Sequence, residues 1–178
     1  RYTDDTAVEN LEIGGRNLIV NSNIFTTGWY IYGGAQVIRT PDQIVPEWGA
    51  TDATRIETVG GTSVLKFYRQ LGNPIVNDTR IISIWVKNDS DSNLNINFNG
   101  GTVLSGSSPL NLESGFSGRV IYNVRYYAGS FQFQFRAPSA EDSLNFTVWR
   151  MKVEKGNKAT DWTPAPEDVE AAIETAKT

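Results

Sequence analysis

The sequence predicts an all-β protein built as an antiparallel sandwich or barrel, followed by a short C-terminal helix. Three observations lead there. Short runs of four to ten residues alternate apolar and polar side chains, clearest in Phe131-Gln-Phe-Gln-Phe-Arg136 and Leu94-Asn-Ile-Asn-Phe-Asn99. Gly, Asn, Ser and Pro separate these runs at regular intervals. Only the last stretch, from Pro166 onward, places its apolar residues at helical spacing.

Residues 1–13 carry Asp4, Asp5, Glu9 and Glu12 with little periodicity and read as a linker or the end of an upstream helix. Gly14-Gly15 then marks a boundary. Leu18, Ile19 and Val20 form a first strand, and a turn at 21–23 leads to a second extended run ending at Trp29. Residues 29–32 stop at Gly33-Gly34, and residues 35–39 stop at Pro41. Residues 42–53, with Pro46, Trp48 and Gly49, read as a loop. Further strands are expected at 54–59, 63–71, 79–87, 94–99, 116–127, 130–137 and 144–154. At the end, Pro166 with Glu167 and Asp168 is a helix start, since acids complement the N-terminal dipole. Val169, Ala172, Ile173 and Ala176 share one face. That helix either continues into a helical connector, with a coiled coil at an oligomer axis, or packs on its own domain.

Composition narrows the function classes. A chain of 178 residues suits one domain with a sizeable core. It begins at an internal-looking Arg1, which suggests a piece of a longer protein, and it has neither a signal-peptide pattern nor a bilayer-spanning run. No membrane partner is expected. Cysteine and histidine are both absent, which removes disulfides, thiolate metal sites and the commonest general base. A net charge of −4 offers no basic excess for nucleic acid. A glycosidase needs two carboxylates at a defined separation, and Glu57, Glu113, Glu141 and Asp142 form no recognisable pair.

Alternation assigns faces. Phe131, Phe133 and Phe135 point inward, leaving Gln132, Gln134 and Arg136 outward. Leu94, Ile96 and Phe98 oppose Asn95, Asn97 and Asn99. Ile82, Ile84 and Val86 are the core set of their strand, so Ser83, Trp85 and Lys87 face out. Asn123, Arg125 and Tyr127 oppose Tyr122 and Val124. Lys66, Tyr68 and Gln70 oppose Leu65 and Phe67.

Two motifs carry a resemblance. Asn17-Leu18-Ile19-x-Asn21 with Phe25, Gly28 and Trp29 resembles the opening of the jelly-roll carbohydrate-binding modules. Lys152-Val-Glu-Lys-Gly156, then Ala159-Thr160-x-Trp162-Thr-Pro164-Ala-Pro166-Glu-Asp168, is similar to the closing motif of such modules in bacteriophage tail and baseplate proteins. The resemblance covers roughly residues 14–168. It implies a jelly-roll β-sandwich over 14–163, with 164–178 starting a helical connector. It also implies a non-catalytic module, located in the virion and extracellular, that attaches a phage to host cell-wall or surface polysaccharide. Its other partners would be tail or baseplate proteins, with a homotrimer in the full-length protein. Two alternatives are a tail spacer without a sugar ligand and a binding module of a secreted bacterial glycoside hydrolase. Relatives often hold a structural calcium near the first and last strands, but Thr26 and Thr27 follow Phe25 here, so no cofactor is expected. Trp29 and Trp162 lie inside the motifs and read as packing residues.

The outward sets suit a sugar. An apolar pyranose face stacks on an aromatic ring, while its hydroxyls bond to Asn, Gln and Arg. The competing reading is an ordinary solvated sheet surface. The expected ligand residues are Trp85 as platform and Gln132, Gln134 and Arg136 as a hydrogen-bonding row, forming one groove if their strands share a sheet. Tyr68, Asn97, Arg125 and Tyr127 supplement them. A loop-end site at Trp48, or at Tyr30 and Tyr32, is the second location.

Overall fold

The computed structural model describes residues 15–177, so the linker or helix end expected over 1–13 lies outside the described residues. Among the described residues eleven strands precede one α-helix: β1 Trp29–Tyr32, β2 Gln36–Val45, β3 Ala50–Val59, β4 Lys66–Gln70, β5 Thr79–Asn88, β6 Leu94–Asn99, β7 Gly101–Val103, β8 Asn111–Leu112, β9 Ser117–Tyr126, β10 Gln132–Arg136, β11 Asn145–Glu154 and α1 Pro166–Lys177. A five-stranded sheet has the order β1-β4-β10-β6-β8, and a six-stranded sheet has the order β2-β3-β11-β5-β9-β7. Every strand pairing is antiparallel. The all-β sandwich with a short C-terminal helix is therefore the observed architecture.

The inward sets predicted by alternation form the core. Phe67, Phe133, Phe135, Ile82, Ile84, Val86, Tyr122 and Val124 are all fully buried. Aromatic rings join the two layers: Phe135 of β10 lies 4.4 Å from Phe146 of β11, and Phe98 of β6 lies 5.3 Å from Tyr122 of β9. Trp29 stacks on Phe67 at 5.0 Å, which plugs the β1 side. Each such ring contributes roughly 2–3 kcal/mol by leaving water.

The structure departs from the sequence reading at several places. Residues 17–20 are not a strand, and regular pairing begins only at Trp29. The cause is Asn17. Its fully buried amide donates to the carbonyls of Met151 (3.0 Å) and Thr163 (2.9 Å). Its Oδ1 accepts from the amides of Ile19 (3.2 Å) and Val153 (3.1 Å). A side chain thus takes the bonds that a strand ladder would have used, and Leu18 and Val20 are left part-exposed. β2 does not stop at Pro41; it runs on to Val45 as an edge strand whose register shifts between Thr40 and Val45, with Asp42 left-handed at φ 59°. Proline is tolerated there because an edge strand leaves N–H positions unpaired. β7 and β8 have three and two residues, too short for an alternation signal.

β11 contains a bulge between Trp149 and Lys152, with Arg150 at φ 48°. The bulge switches the inward parity from Phe146 and Val148 to Met151 and Val153. Lys152 and Glu154 then face away from the core, yet both are buried beneath the returning segment 155–165. Lys152 Nζ donates to Thr160 Oγ1 (2.7 Å) and the Asp161 carbonyl (2.6 Å). Glu154 accepts from the Gly15 and Thr160 amides and from the Thr160 hydroxyl. Desolvation lowers the Lys152 pKa, with Glu154 opposing it. The first turn of α1 is fastened to the body: the Asp168 carboxylate accepts from the Asn21 amide at 2.9 Å, and Glu167 pairs with Arg16 at 3.3 Å.

Asn17→Asp keeps the shape but turns two donors into acceptors facing carbonyls. It is expected to cost about 3 kcal/mol or more in urea denaturation, against under about 1 kcal/mol for part-exposed Leu18→Ala. Equal small losses in both would show that the ends close without this side chain.

Candidate functional site

The outer face of the five-stranded sheet brings together most of the expected polar residues. Antiparallel register arranges them in rows. One row reads Tyr30, Tyr68, Gln134 and Asn97 across β1, β4, β10 and β6. The next reads Tyr32, Lys66, Arg136 and Asn95, and continues to Asn111 on β8. A third reads Gln70, Gln132 and Asn99. A shallow cleft of about 430 Å³ lies over this grid, bordered by Tyr32, Tyr68, Gln132 and Arg136.

The floor of the cleft is ordered by its own amides. Asn97 Nδ2 donates to Gln134 Oε1 at 2.8 Å, and Gln134 Nε2 donates to Gln132 Oε1 at 3.0 Å. Gln134 is therefore 7% exposed although it faces outward. This chain fixes the amide orientations and leaves the far ends of Gln132 and Asn97 directed to the cleft. Tyr30 and Tyr32 are each 56% exposed, and the Tyr30 and Tyr68 rings lie 5.9 Å apart. None of these three hydroxyls has a hydrogen-bond partner among the described residues. Rings with a solvated hydroxyl suit a ligand that is apolar on its faces and polar at its edges.

The single groove expected from Trp85 and the glutamine row does not exist. Trp85 lies on β5 of the six-stranded sheet, and Gln132, Gln134 and Arg136 lie on β10 of the other. Both sets face outward, so they sit on opposite sides of the sandwich. Trp85 is also covered. Its ring lies 5.8 Å from Trp48 and 5.9 Å from Trp149, forming a second, small apolar cluster with Val45, Ala50 and Ala53. Trp48 reaches it from the turn Pro46–Trp48 and donates Nε1 to Ser117 Oγ at 3.0 Å. Trp149 donates Nε1 to Asp52 at 2.7 Å, and the Arg150 guanidinium packs 4.2 Å from the Trp149 ring and 4.6 Å from the Trp162 ring. With Trp48 at 8% and Trp149 at 5% exposure, this layer is a packed strap and offers no open platform. The Trp48 loop is accordingly no loop-end site. Arg125 faces out from β9 of the six-stranded sheet, and Tyr127 lies just past β9, its amide bonded to the Gly100 carbonyl; neither reaches the cleft. Tyr68 and Asn97 do reach it.

Sequence reasoning left Lys66, Asn95, Asn99 and Asn111 out of the site and put Tyr30 and Tyr32 at a loop end, whereas both lie on β1. Alternation gives the face of each residue but not the strand beside it, so the rows become visible only with the register. Arg69 was missed for another reason. It occupies an inward position of β4, 6% exposed, where its guanidinium donates to the carbonyls of Val20 and Asn21. Burial lowers its pKa, with Asp168 opposing that shift. It holds the 20–28 loop and takes no part in the cleft. As for calcium, no group of three acidic side chains converges among the described residues, and the two Asp52 oxygens accept from Asn23 and Trp149.

No protein-family model matches the chain, and no curated protein matches it in sequence. Among solved structures, it is similar to the CBM22-1 xylan-binding domain from Paenibacillus barcinonensis Xyn10C. The TM-score is 0.55 at 17% identity, covering 83% of this chain and 100% of that one. It is also similar to the family 11 carbohydrate-binding module from Clostridium thermocellum, in complex with a β-1,3-1,4-mixed-linked tetrasaccharide. There the TM-score is 0.52 at 12% identity, covering 83% and 99%. A third similarity is to the enzymatically active domain of tailspike protein 4 from bacteriophage CBA120. Its TM-score is 0.53 at 8% identity, covering 79% of this chain but 21% of that one. These likenesses establish the fold, a jelly-roll β-sandwich of the kind found in carbohydrate-binding modules.

Trp48→Ala removes the lid of the tryptophan layer. A loss of about 3 kcal/mol is expected in urea denaturation, as for other buried Trp truncations. A loss below about 1 kcal/mol would mean that the layer is loosely held and open.

Proposed function

We propose that the chain is a non-catalytic carbohydrate-binding module whose ligand lies across the outer face of the five-stranded sheet. The observation that carries this reading is the composition of that face: three tyrosine rings beside a pre-ordered grid of Asn and Gln amides, with no Asp or Glu in any strand of the sheet. Rings stack on pyranose faces, and fixed amides pair with adjacent hydroxyls. A glycosidase would need two facing carboxylates, and this sheet has none in its strands. The solved relatives spanning the same length are carbohydrate-binding modules, which supports the same reading.

We further propose that the module serves a phage tail or baseplate protein, exposed on the virion and holding a host cell-surface saccharide. Its support is the closing motif 152–168, whose residues close the sandwich by contacting Gly15, Asn17 and Asn21. Neighbouring tail proteins and a homotrimer belong to this proposal, because many copies multiply a modest affinity. A module of a secreted bacterial glycoside hydrolase is favoured by one observation, the full-length match to a xylan-binding domain. Both readings use the same face.

The test is a fluorescent fusion offered to whole bacterial cells, extracted wall polysaccharide, xylan and mixed-linked β-glucan. Tyr68→Ala should weaken binding by about 1–3 kcal/mol at unchanged Tm, by analogy with stacked bases, and Gln132→Ala, which removes a hydrogen-bonding edge of the cleft, by about 0.5–1.5 kcal/mol. Trp85→Ala should leave affinity intact. Binding that survives both sheet-face substitutions would overturn this location, and failure to bind any glycan would leave a structural spacer.

A further inference from the structure

We infer that the saccharide held on this face is acidic, carrying carboxylate or phosphodiester groups, and that Lys66 and Arg136 select it. The inference rests on the reading of the face as a glycan site. Lys66 and Arg136 are direct register partners on β4 and β10, both pointing outward. Like charges placed opposite each other on neighbouring strands destabilise a sheet. Their flanking row partners are Tyr32, Asn95 and Asn111, all uncharged. No acid occurs in any strand of this sheet, although the chain has 20 Asp and Glu and a net charge of −4.

Most other cations of the described residues are engaged, Arg125 and Lys158 excepted. Arg16, Arg55, Arg80 and Lys87 each have a carboxylate within 3.3–3.6 Å. Arg69 and Arg119 spend their guanidinium groups on backbone carbonyls. Neither Lys66 nor Arg136 has a carboxylate or hydrogen-bond partner among the described residues. The Lys66 ammonium lies over the Tyr32 ring, 4.9 Å from its centroid. Two like charges on register-paired residues, with no carboxylate beside them among the described residues, bring no ion pair to the fold. An external anion would pair with them. A guanidinium fork donates two parallel bonds to a carboxylate or a phosphodiester, and an adjacent ammonium donates a further charge-assisted bond.

The position also fits a polymer. Arg136 borders the cleft over Tyr68 and Gln132, and it borders a second cleft lined by Asn95, Asn111 and Pro138. Arg136 therefore sits at the junction of two clefts, and Lys66 borders the first of them. An acidic group in the middle of a chain of hydroxyl-bearing sugars matches that order. Two cations among so many neutral amides suit a sparsely charged glycan better than a nucleic acid, whose every phosphate calls for neutralisation.

The experiment measures the affinity of the native chain, by titration calorimetry and affinity electrophoresis, for five polymers. These are polygalacturonate, poly(glycerol phosphate), xylan, mixed-linked β-glucan and poly(dT). Two variants accompany it, Lys66→Gln/Arg136→Gln and Tyr68→Ala. The expected result is one acidic glycan bound roughly tenfold or more tighter than either neutral one. That preference should shrink with added salt and vanish in the double variant. The double variant should also melt no lower than the native chain, because it removes a repulsion. The carboxylate and phosphodiester polymers tell the two anion sources apart. Equal binding of acidic and neutral glycans, or a preference that persists in the double variant, overturns the inference. In that case the glycan site itself still stands if Tyr68→Ala weakens binding. Poly(dT) bound as tightly as the acidic glycans overturns it in favour of single-stranded nucleic acid. No binding to any polymer overturns both readings together.

Discussion

Asn17 uses all of its hydrogen-bonding capacity on backbone groups from three separate stretches, residues 19, 151–153 and 163. A buried amide is tolerated only when every such bond is made, so the three stretches must meet at one point. Much follows from that meeting. It holds the start of the described chain against the second half of β11, past the bulge. The bulge in turn presents Arg150 N–H to Asn23 Oδ1 and turns Trp149 toward Asp52. The loop from 20 to 28 is then pinned by Arg69 and delivers Trp29 to the core beside Phe67.

The two outer faces of the sandwich have opposite characters for a physical reason. The six-stranded sheet is overlaid by the Trp48 turn and by the segment 155–165, which bury its outward residues Trp149, Lys152 and Glu154. Among the described residues nothing covers the five-stranded sheet in this way, and its outward residues are those that tolerate water: amides, tyrosines and two cations. One face is spent on closing the fold, and the other is left for contact with something outside it.

How much of this was legible in the sequence can be read from particular residues. The period of two placed Phe131, Phe133 and Phe135 inward and Gln132, Gln134 and Arg136 outward, because a half-buried strand writes its burial into alternate positions. Trp29 and Trp162, read from the two motifs as packing residues, do pack: Trp29 is buried in the core and Trp162 donates to the Met151 carbonyl. Trp85 shows the limit. Its outward direction was correct, but its sheet was not encoded in its own strand, since neighbours across a sheet come from distant parts of the chain. Its cover by Trp48 depended on a turn some forty residues earlier, read only as a loop. The bulge at Arg150 was hidden because an extra residue breaks the period that makes a strand readable. Lys66 was placed on the correct face but acquired meaning only when register set it beside Arg136.

The meeting of the chain ends has a mechanical consequence. Thr163 Oγ1 donates to the Gly15 carbonyl at 3.3 Å, Arg16 bridges to Glu167, and Asn21 bonds Asp168. A pull applied between residues 15 and 168 is therefore borne by this short set of contacts together with Asn17. Of the strands, β11 joins this set through Met151, Val153 and Glu154, and the other strands lie outside it, as a loop of rope lies outside a knot. Tension transmitted through these two points reaches the core only after the knot gives way, so the exposed sheet face keeps its shape while its attachment is strained.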